Sequence, residues 1–300
     1  MFLVLTLLGY VALAATTILD KYLVERRLAP LVLMIFSTAI VMPVFGLLGW
    51  AAHFLSSVGD YLIAVVAGAT FAGGLYAMFS GYAATEISHS APLVGLSTTL
   101  SVIILSIVFS PETFSMRVWI GIALLVCSSL VIAFERRKTG VVLSKNMLYL
   151  VVAGMLFGVS HVATKILYEH YSFVTGLVWS RGMMALVGCV CVCFPQVRQR
   201  VKSALSTGSG SVVAARPGIV ILNRLLGVSG VVILQAASSL GSIVIVNALQ
   251  SLQYALVIVF VWCSSRWLPR LAKEFYTRSE IIQEAVVVVL LILGFVLIVP

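Results

Sequence analysis

The chain has 300 residues, of which 61% are hydrophobic and only 10% are charged, and its net charge is +9. The charged fraction of an ordinary soluble domain is nearer a quarter, so the composition excludes that class and indicates an integral membrane protein. Lys and Arg are concentrated between the apolar segments, where membrane topology and anionic lipid explain the positive charge better than a nucleic-acid partner does.

Apolar segments of about 20 residues, long enough to cross the hydrocarbon core, recur along the whole chain. We interpret the first as a span rather than a signal peptide because no Lys or Arg precedes it. The segments are too uniformly apolar for the strands of a membrane barrel. The sequence predicts an all-α integral membrane protein with ten transmembrane helices, at residues 2–19, 30–50, 61–82, 91–110, 118–134, 147–167, 173–194, 218–238, 243–263 and 281–299.

The connections between these spans differ sharply in charge. Odd-numbered connections carry fifteen Lys and Arg residues, whereas even-numbered connections carry only Arg117. The positive-inside rule therefore predicts a multi-pass protein of the cell (plasma or inner) membrane with both termini extracytoplasmic. We read Ser203–Gly218 as a flexible linker and residues 265–280 as a basic amphipathic segment at the membrane surface.

Two motifs recur in the two halves of the chain, each between apolar segments. The pairs are Lys21-x-x-x-Glu25 with Lys165-x-x-x-Glu169, and Glu112-x-x-Ser115 with Glu274-x-x-Thr277. This duplication predicts one membrane domain made of two five-helix repeats, residues 1–140 and 141–300. Because five is an odd number, the second repeat must enter the membrane from the opposite side, which makes the repeats inverted.

Several short motifs, spread over nearly the whole chain, resemble those of the EamA-type family of the drug/metabolite transporter superfamily. They are the Lys-ended first helix of each repeat, Trp179-Ser-Arg181, Thr85-Glu-Ile-Ser-His-Ser-Ala-Pro92, Pro111-Glu112 with Trp119-Ile-Gly121, and Lys273-Glu274. The resemblance implies ten helices, inverted repeats, a central substrate cavity and export. Members of that family usually hold both termini in the cytoplasm, and here the charge distribution favours the reverse.

Charged side chains inside the predicted spans are costly and ask for an explanation. His161 and Arg181 lie at similar depth on consecutive antiparallel helices, where they could hold a carboxylate or phosphate group. The alternative is that Arg181 caps carbonyl groups or pairs with a structural partner. Lys165, one turn beyond His161, is a further candidate for the site, or a residue that extends to the interface. We expect Arg224 to reach the headgroups.

Neutral hydrogen-bonding side chains complete the candidate substrate site. They are Asn247, Gln250 and Tyr254, on one face of the ninth predicted span, Ser97 and Thr98 in the fourth, and Tyr76 in the third. Such groups, facing each other from the two repeats, suit a cavity for a polar metabolite. Hydrogen bonding between helices is the alternative, since it uses the same residue types.

The chain contains no nucleotide-binding, nucleophile or metal-ligand motif, so we expect no enzyme activity, cofactor or metal. The leading hypothesis is a secondary transporter or facilitator that exports a small polar metabolite by alternating access. One version of this hypothesis is that the metabolite is an anion. The alternatives are a flippase of a lipid-linked substrate and a membrane scaffold that transports nothing. The expected partners are the lipid bilayer and a small-molecule substrate. The sequence leaves open whether the protein forms a homodimer.

Overall fold

The computed structural model describes residues 1–25, 29–42, 48–83, 87–133, 145–206, 217–265 and 278–299. The regular elements in these ranges are helices, which bears out the predicted all-α class. In chain order the α-helices are α1 (Phe2–Glu25), α2 (Pro30–Ala39), α3 (Val58–Tyr82), α4 (Ile87–Phe109), α5 (Met116–Ala133), α6 (Lys145–His170), α7 (Phe173–Cys193), α8 (Pro195–Leu205), α9 (Pro217–Leu240), α10 (Ile243–Ala248), α11 (Gln250–Ser265) and α12 (Arg278–Ile298).

Local sequence signals set where several helices begin. The hydroxyl groups of Ser57, Ser172 and Ser242 accept hydrogen bonds from backbone amides in the first turns of α3, α7 and α10. These bonds satisfy amides that have no partner within the helix. Three other helices, α2, α8 and α9, begin with a proline, which has no amide hydrogen to satisfy.

Six helices among the described residues are long and apolar enough to cross a membrane. Their candidate spans are Phe2–Asp20, Val58–Tyr82, Ala91–Phe109, Met147–His170, Phe173–Cys193 and Pro217–Leu240. The other four predicted spans contain shorter apolar helical stretches, Pro30–Ala39, Met116–Val131, Ile243–Val257 and Ala285–Ile298. The chain is therefore a multi-pass membrane protein, and the count of ten spans stays a prediction.

Helix α8 was not predicted from the sequence. It has only 11 residues and three cations, so a search for span-length apolar segments treats it as a connection. Ala204 is buried, whereas Arg198, Arg200 and Lys202 are exposed, as in a helix that lies along a surface. Residues 207–216 of the predicted linker, and residues 266–277 of the predicted amphipathic segment, lie outside the described residues.

Both described chain ends and the even-numbered connections meet at one end of the helix bundle. The indole nitrogen of Trp179 donates to the His53 carbonyl at 2.9 Å, and Ser110 donates to Glu169 at 2.5 Å. Glu112 accepts hydrogen bonds from the hydroxyl of Ser242 and the amide of the next residue. At the two termini, Phe2 lies against Gly241, and the Arg117 guanidinium donates to the Val296 and Val299 carbonyls.

The helices pack in a pattern that links the two halves of the chain. Helix α3 packs along α6, and α9 packs along α1. Helix α4 also contacts α6, and α11 also contacts α1. Helix α5 pairs with α12, and α2 contacts α7. The principal contacts are therefore between halves rather than within them, so neither half buries its apolar surface alone.

This arrangement leads to a testable orientation. The termini lie with the nearly uncharged even-numbered connections, so the positive-inside rule predicts that both are outside the cytoplasm. A reporter fused after Pro300 should be active when it requires an extracytoplasmic location and silent when it requires the cytoplasm. The reverse activity pattern would mean that the charge distribution does not set the orientation.

Candidate substrate cavity

An internal cavity of about 200 Å³ lies among helices from both halves of the chain. It is smaller than the pockets of roughly 300–1,000 Å³ that hold drug-sized ligands, so it suits a small metabolite. Its polar lining residues are Tyr10, Thr16, Thr17, Asp20, Ser37, Tyr82, Thr98, His161, Arg181, Arg224, Gln235, Ser238, Asn247, Gln250, Gln253 and Tyr254.

Arg181 on α7 is a buried cation without a counter-charge. Its residue is only 2% exposed, and its guanidinium carbon lies 4.0 Å from the centre of the Phe71 ring. None of its three side-chain nitrogens has a hydrogen-bond partner among the described residues. Burying an unpaired charge is unfavourable, and the ring face compensates for only a small part of that cost. An anion bound in the cavity would offset the rest.

Arg224 on α9, the other arginine of the cavity, has a counter-charge, although its Nε atom has no hydrogen-bond partner among the described residues. Its guanidinium lies 2.5 Å from the Asp20 carboxylate and donates to the Ser37 hydroxyl at 2.8 Å. The Asn223 amide also donates to Asp20, at 2.7 Å. The expectation that Arg224 reaches the headgroups is wrong, because its residue is 6% exposed and its charge is held inside the bundle. Among the described lining residues, Arg181 is thus the unpaired charge.

His161 on α6 borders the cavity beside the same aromatic ring. Its ring centre lies 6.3 Å from that of Phe71, so His161 and Arg181 flank one phenyl group. The Nδ1 atom of His161 lies 2.9 Å from the Asn247 side-chain oxygen. The Asn247 side-chain nitrogen in turn donates to the Ile243 carbonyl at 2.9 Å. A charged group and an oriented imidazole therefore border the cavity beside the same phenyl ring.

The ninth predicted span is interrupted where it borders the cavity. Helix α10 ends at Ala248 and α11 begins at Gln250, and Leu249 between them keeps an αR backbone with its amide bonded to the Ile245 carbonyl, so the interruption is a distortion of one residue. Two carbonyl groups at the interruption accept hydrogen bonds from other helices. Tyr10 donates to the carbonyl of Val246 at 2.7 Å, and Thr99 donates to the carbonyl of Asn247 at 2.9 Å. Irregular backbone at membrane depth is tolerated where it lines a cavity or is buried in protein.

Helix α11 adds further polar groups to the wall. Gln253 is buried and donates to the Thr17 hydroxyl at 3.0 Å, and the side-chain oxygens of Gln250 and Gln253 have no partner among the described residues. Tyr254 is buried against Gly95, where a Cβ atom would collide with the phenol ring. The glycine thus allows the tyrosine to approach α4.

Six of the nine candidate residues proposed from the sequence line this cavity. They are Thr98, His161, Arg181, Asn247, Gln250 and Tyr254. The other three lie elsewhere. Tyr76 is 44% exposed on the outside of α3, and Ser97 packs against Gly154 on α6. The Lys165 ammonium donates to the carbonyls of Ser238 and Gly241, both at 3.0 Å, at the end of α9.

Sequence reasoning missed several polar lining residues. Asp20 carried the clearest signal, since it is a carboxylate directly after the predicted span 2–19 and within helix α1, where it needs a partner. Gln235 and Gln253 were also readable as polar groups within predicted spans. Tyr10 and Tyr82 carried no such signal, because tyrosines in membrane helices are common at many positions.

The fold and this cavity define a class, namely a multi-pass, all-α membrane protein with a cavity between helices that is lined by apolar and polar side chains. The chain is similar to a solved structure described as "Crystal structure of protein", with a TM-score of 0.64 and 13% identity over 98% of each chain. At that identity the likeness concerns the fold alone. No protein-family model matches the sequence, and no curated protein matches it.

Proposed function

We propose that this protein is a secondary transporter that carries a small organic anion across the membrane by alternating access around the internal cavity. The observation that carries the proposal is Arg181, which has no partner among the described residues, in a largely apolar cavity of a multi-pass membrane protein. A cation without a counter-charge serves no purpose in a passive scaffold, where a paired or apolar residue would be more stable. A bound anion would supply the counter-charge that Arg181 lacks.

The interruption between α10 and α11 supports transport rather than simple binding. Transporters often form their substrate sites from helices that are broken near the middle of the membrane, because the freed backbone groups and helix ends can face the cavity. Here the break at Leu249 lies between Asn247 and Gln250, and both of these residues line the cavity. A broken helix also offers a point at which the wall can bend as the cavity changes sides.

Most of the principal helix pairings support the predicted duplication, whereas the α3–α7 contact has no counterpart of similar extent between α9 and α2. We assume that α1 corresponds to α6, α2 to α7, α3 to α9, α4 to α10 together with α11, and α5 to α12. Exchanging the halves then converts the α3–α6 contact into the α9–α1 contact. The same exchange converts α4–α6 into α11–α1 and leaves α5–α12 and α2–α7 unchanged. The α5–α12 crossing is itself reciprocal, since a Cβ at Gly121 or at Gly294 would lie 2.9 or 3.0 Å from the carbonyl of the other.

The resemblance to EamA-type transporters agrees with this proposal. It rests on short motifs, and two of them include residues with defined roles in this structure. Arg181 of the Trp179-Ser-Arg181 motif borders the cavity, and Glu112 of the Pro111-Glu112 motif caps the start of α10. We therefore include the ten spans, the inverted repeats and export as parts of the same proposal.

Uptake of anions into proteoliposomes tests the proposed function. We expect saturable uptake of one or more labelled small carboxylates or phosphate esters, and Arg181→Gln should lower that uptake about 10–100-fold, since a hydrogen-bonded charge contributes roughly 1.5–3 kcal/mol. Arg198→Gln is the matched control, because Arg198 is exposed on α8.

A stability measurement separates binding from folding in this experiment. Removing an unpaired buried charge should not lower the melting temperature of the unliganded protein in detergent. Full transport by Arg181→Gln, or a variant that melts well below the wild type, would make Arg181 a structural residue. Movement of lipid-linked substrates without transport of free anions would favour the flippase.

A further inference from the structure

Two lining side chains whose orientation is fixed by their other hydrogen bonds, His161 and Gln253, each present an acceptor without a donor, and these acceptors indicate what the ligand carries besides its charge. We infer that the ligand is an organic anion that also carries hydroxyl groups, as a polyhydroxy carboxylate does. This inference rests on the proposed function and adds a requirement to it. Arg181 binds the anionic group, and side-chain acceptors of α6 and α11 bind the hydroxyl groups.

The first acceptor is the Nε2 atom of His161. Because a backbone carbonyl can only accept, the Asn247 atom that faces the Ile243 carbonyl must be the side-chain nitrogen. The atom that faces His161 is therefore the oxygen, and it requires a proton on Nδ1 of the imidazole. A neutral imidazole in this tautomer carries its lone pair on Nε2. No hydrogen bond among the described residues uses that atom.

The second acceptor is the side-chain oxygen of Gln253, whose orientation is fixed in the same way. The Thr17 hydroxyl donates to the Leu13 carbonyl at 2.9 Å, so its oxygen accepts and the Gln253 atom beside it must be the nitrogen. The Gln253 oxygen then remains without a donor among the described residues, and so does the oxygen of Gln250 one turn away. A buried acceptor without a donor is unfavourable unless a ligand or water supplies one.

The charges of the cavity decide between hydroxyl and ammonium donors. Asp20 is the acidic residue of the described lining, and its charge is taken up by Arg224. An ammonium group would bring a second positive charge into a cavity that already holds the unpaired Arg181, with no carboxylate free to compensate it. Hydroxyl groups supply the missing hydrogen atoms without adding charge.

Binding of matched probes to the purified protein in detergent tests this inference. Calorimetry at pH 8, where an unperturbed imidazole is neutral, should give an affinity for D-gluconate about tenfold above that for hexanoate, which lacks the hydroxyl groups. Sorbitol, which has the hydroxyl groups without the charge, should not bind measurably. The Gln250→Met, Gln253→Met double variant should bind gluconate with only a few-fold preference over hexanoate, because it removes two of the three acceptors and keeps that of His161.

The probes separate failure of this inference from failure of the proposed function. Equal affinity of the wild type for gluconate and hexanoate overturns the hydroxyl requirement and leaves the anion site intact. Tighter binding of 6-aminohexanoate than of gluconate also overturns it, because the acceptors would then bind an ammonium group. If neither carboxylate binds, the anion site fails and this inference fails with it. These comparisons use the wild type, so they hold even if the double variant does not fold.

Discussion

Asp20→Asn should be strongly destabilising, by about 3–5 kcal/mol, because it leaves Arg224 as a buried charge without compensation. The substitution keeps the size of the side chain and removes only its charge. Arg224 is 6% exposed, and its other hydrogen bond goes to a neutral hydroxyl, so nothing among the described contacts can replace the carboxylate. The measurement is the apparent melting temperature of the detergent-solubilised protein.

The matched double variant shows whether the charge is responsible. Asp20→Asn combined with Arg224→Gln removes both charges and should recover much of the lost stability, because a neutral buried pair has no comparable cost. The double variant should therefore melt at a higher temperature than Asp20→Asn alone. A double variant that is less stable than either single variant would mean that the hydrogen bonds to Asn223 and Ser37, rather than the charges, hold α1, α2 and α9 together.

Much of the fold was readable from the sequence, because each membrane helix must satisfy its own backbone within an apolar segment. Helix α7 illustrates this. It was predicted at residues 173–194 and observed at Phe173–Cys193, where Ser172 caps its start and Pro195 opens the next helix. Serine and proline at such positions act through the backbone of neighbouring residues, so one sequence carries the whole signal.

Features that depend on contacts between distant residues were not readable in the same way. The depth of Arg224 was judged from its distance to the end of its own helix, and that reasoning allowed it to reach the headgroups. The residue that holds it in place, Asp20, lies on α1 in the other half of the chain. Similarly, no glycine or proline marks the interruption at Leu249, beside which the carbonyl groups of Val246 and Asn247 accept hydrogen bonds from Tyr10 and Thr99.

The candidate site lies between these two cases. A shared helix face placed Asn247, Gln250 and Tyr254 together, and all three line the cavity although the helix is broken between the first two. Periodicity does not show whether a helix face points towards the cavity or away from the protein. Tyr76 was therefore included, although it is exposed on the surface of α3. The use of Lys165 as a helix cap depended on where α9 ends, which is set by packing.

Gly68→Ala should destabilise the protein by about 1–3 kcal/mol, the usual range for overpacking, and should also weaken anion binding. Helices α3 and α7 approach most closely at this glycine. A Cβ there would lie 2.6 Å from the carbonyl carbon of Met183 and closer still to the amide nitrogen of Met184. These are backbone atoms, so no side chain can rotate away and α7 itself must move. Arg181 is in the adjacent turn of that helix and would move with it.

Gly182→Ala is the matched control, since it makes the same substitution in α7 next to Arg181. A Cβ at Gly182 meets nothing within 4 Å, so only the helix propensity changes, and alanine favours the helix by up to roughly 1 kcal/mol. We therefore expect Gly182→Ala to melt at or above the wild-type temperature and to bind anions normally, while Gly68→Ala melts lower and binds more weakly. Equal behaviour of the two variants would mean that α3 and α7 are not in close contact at Gly68, and that the position of Arg181 does not depend on that contact.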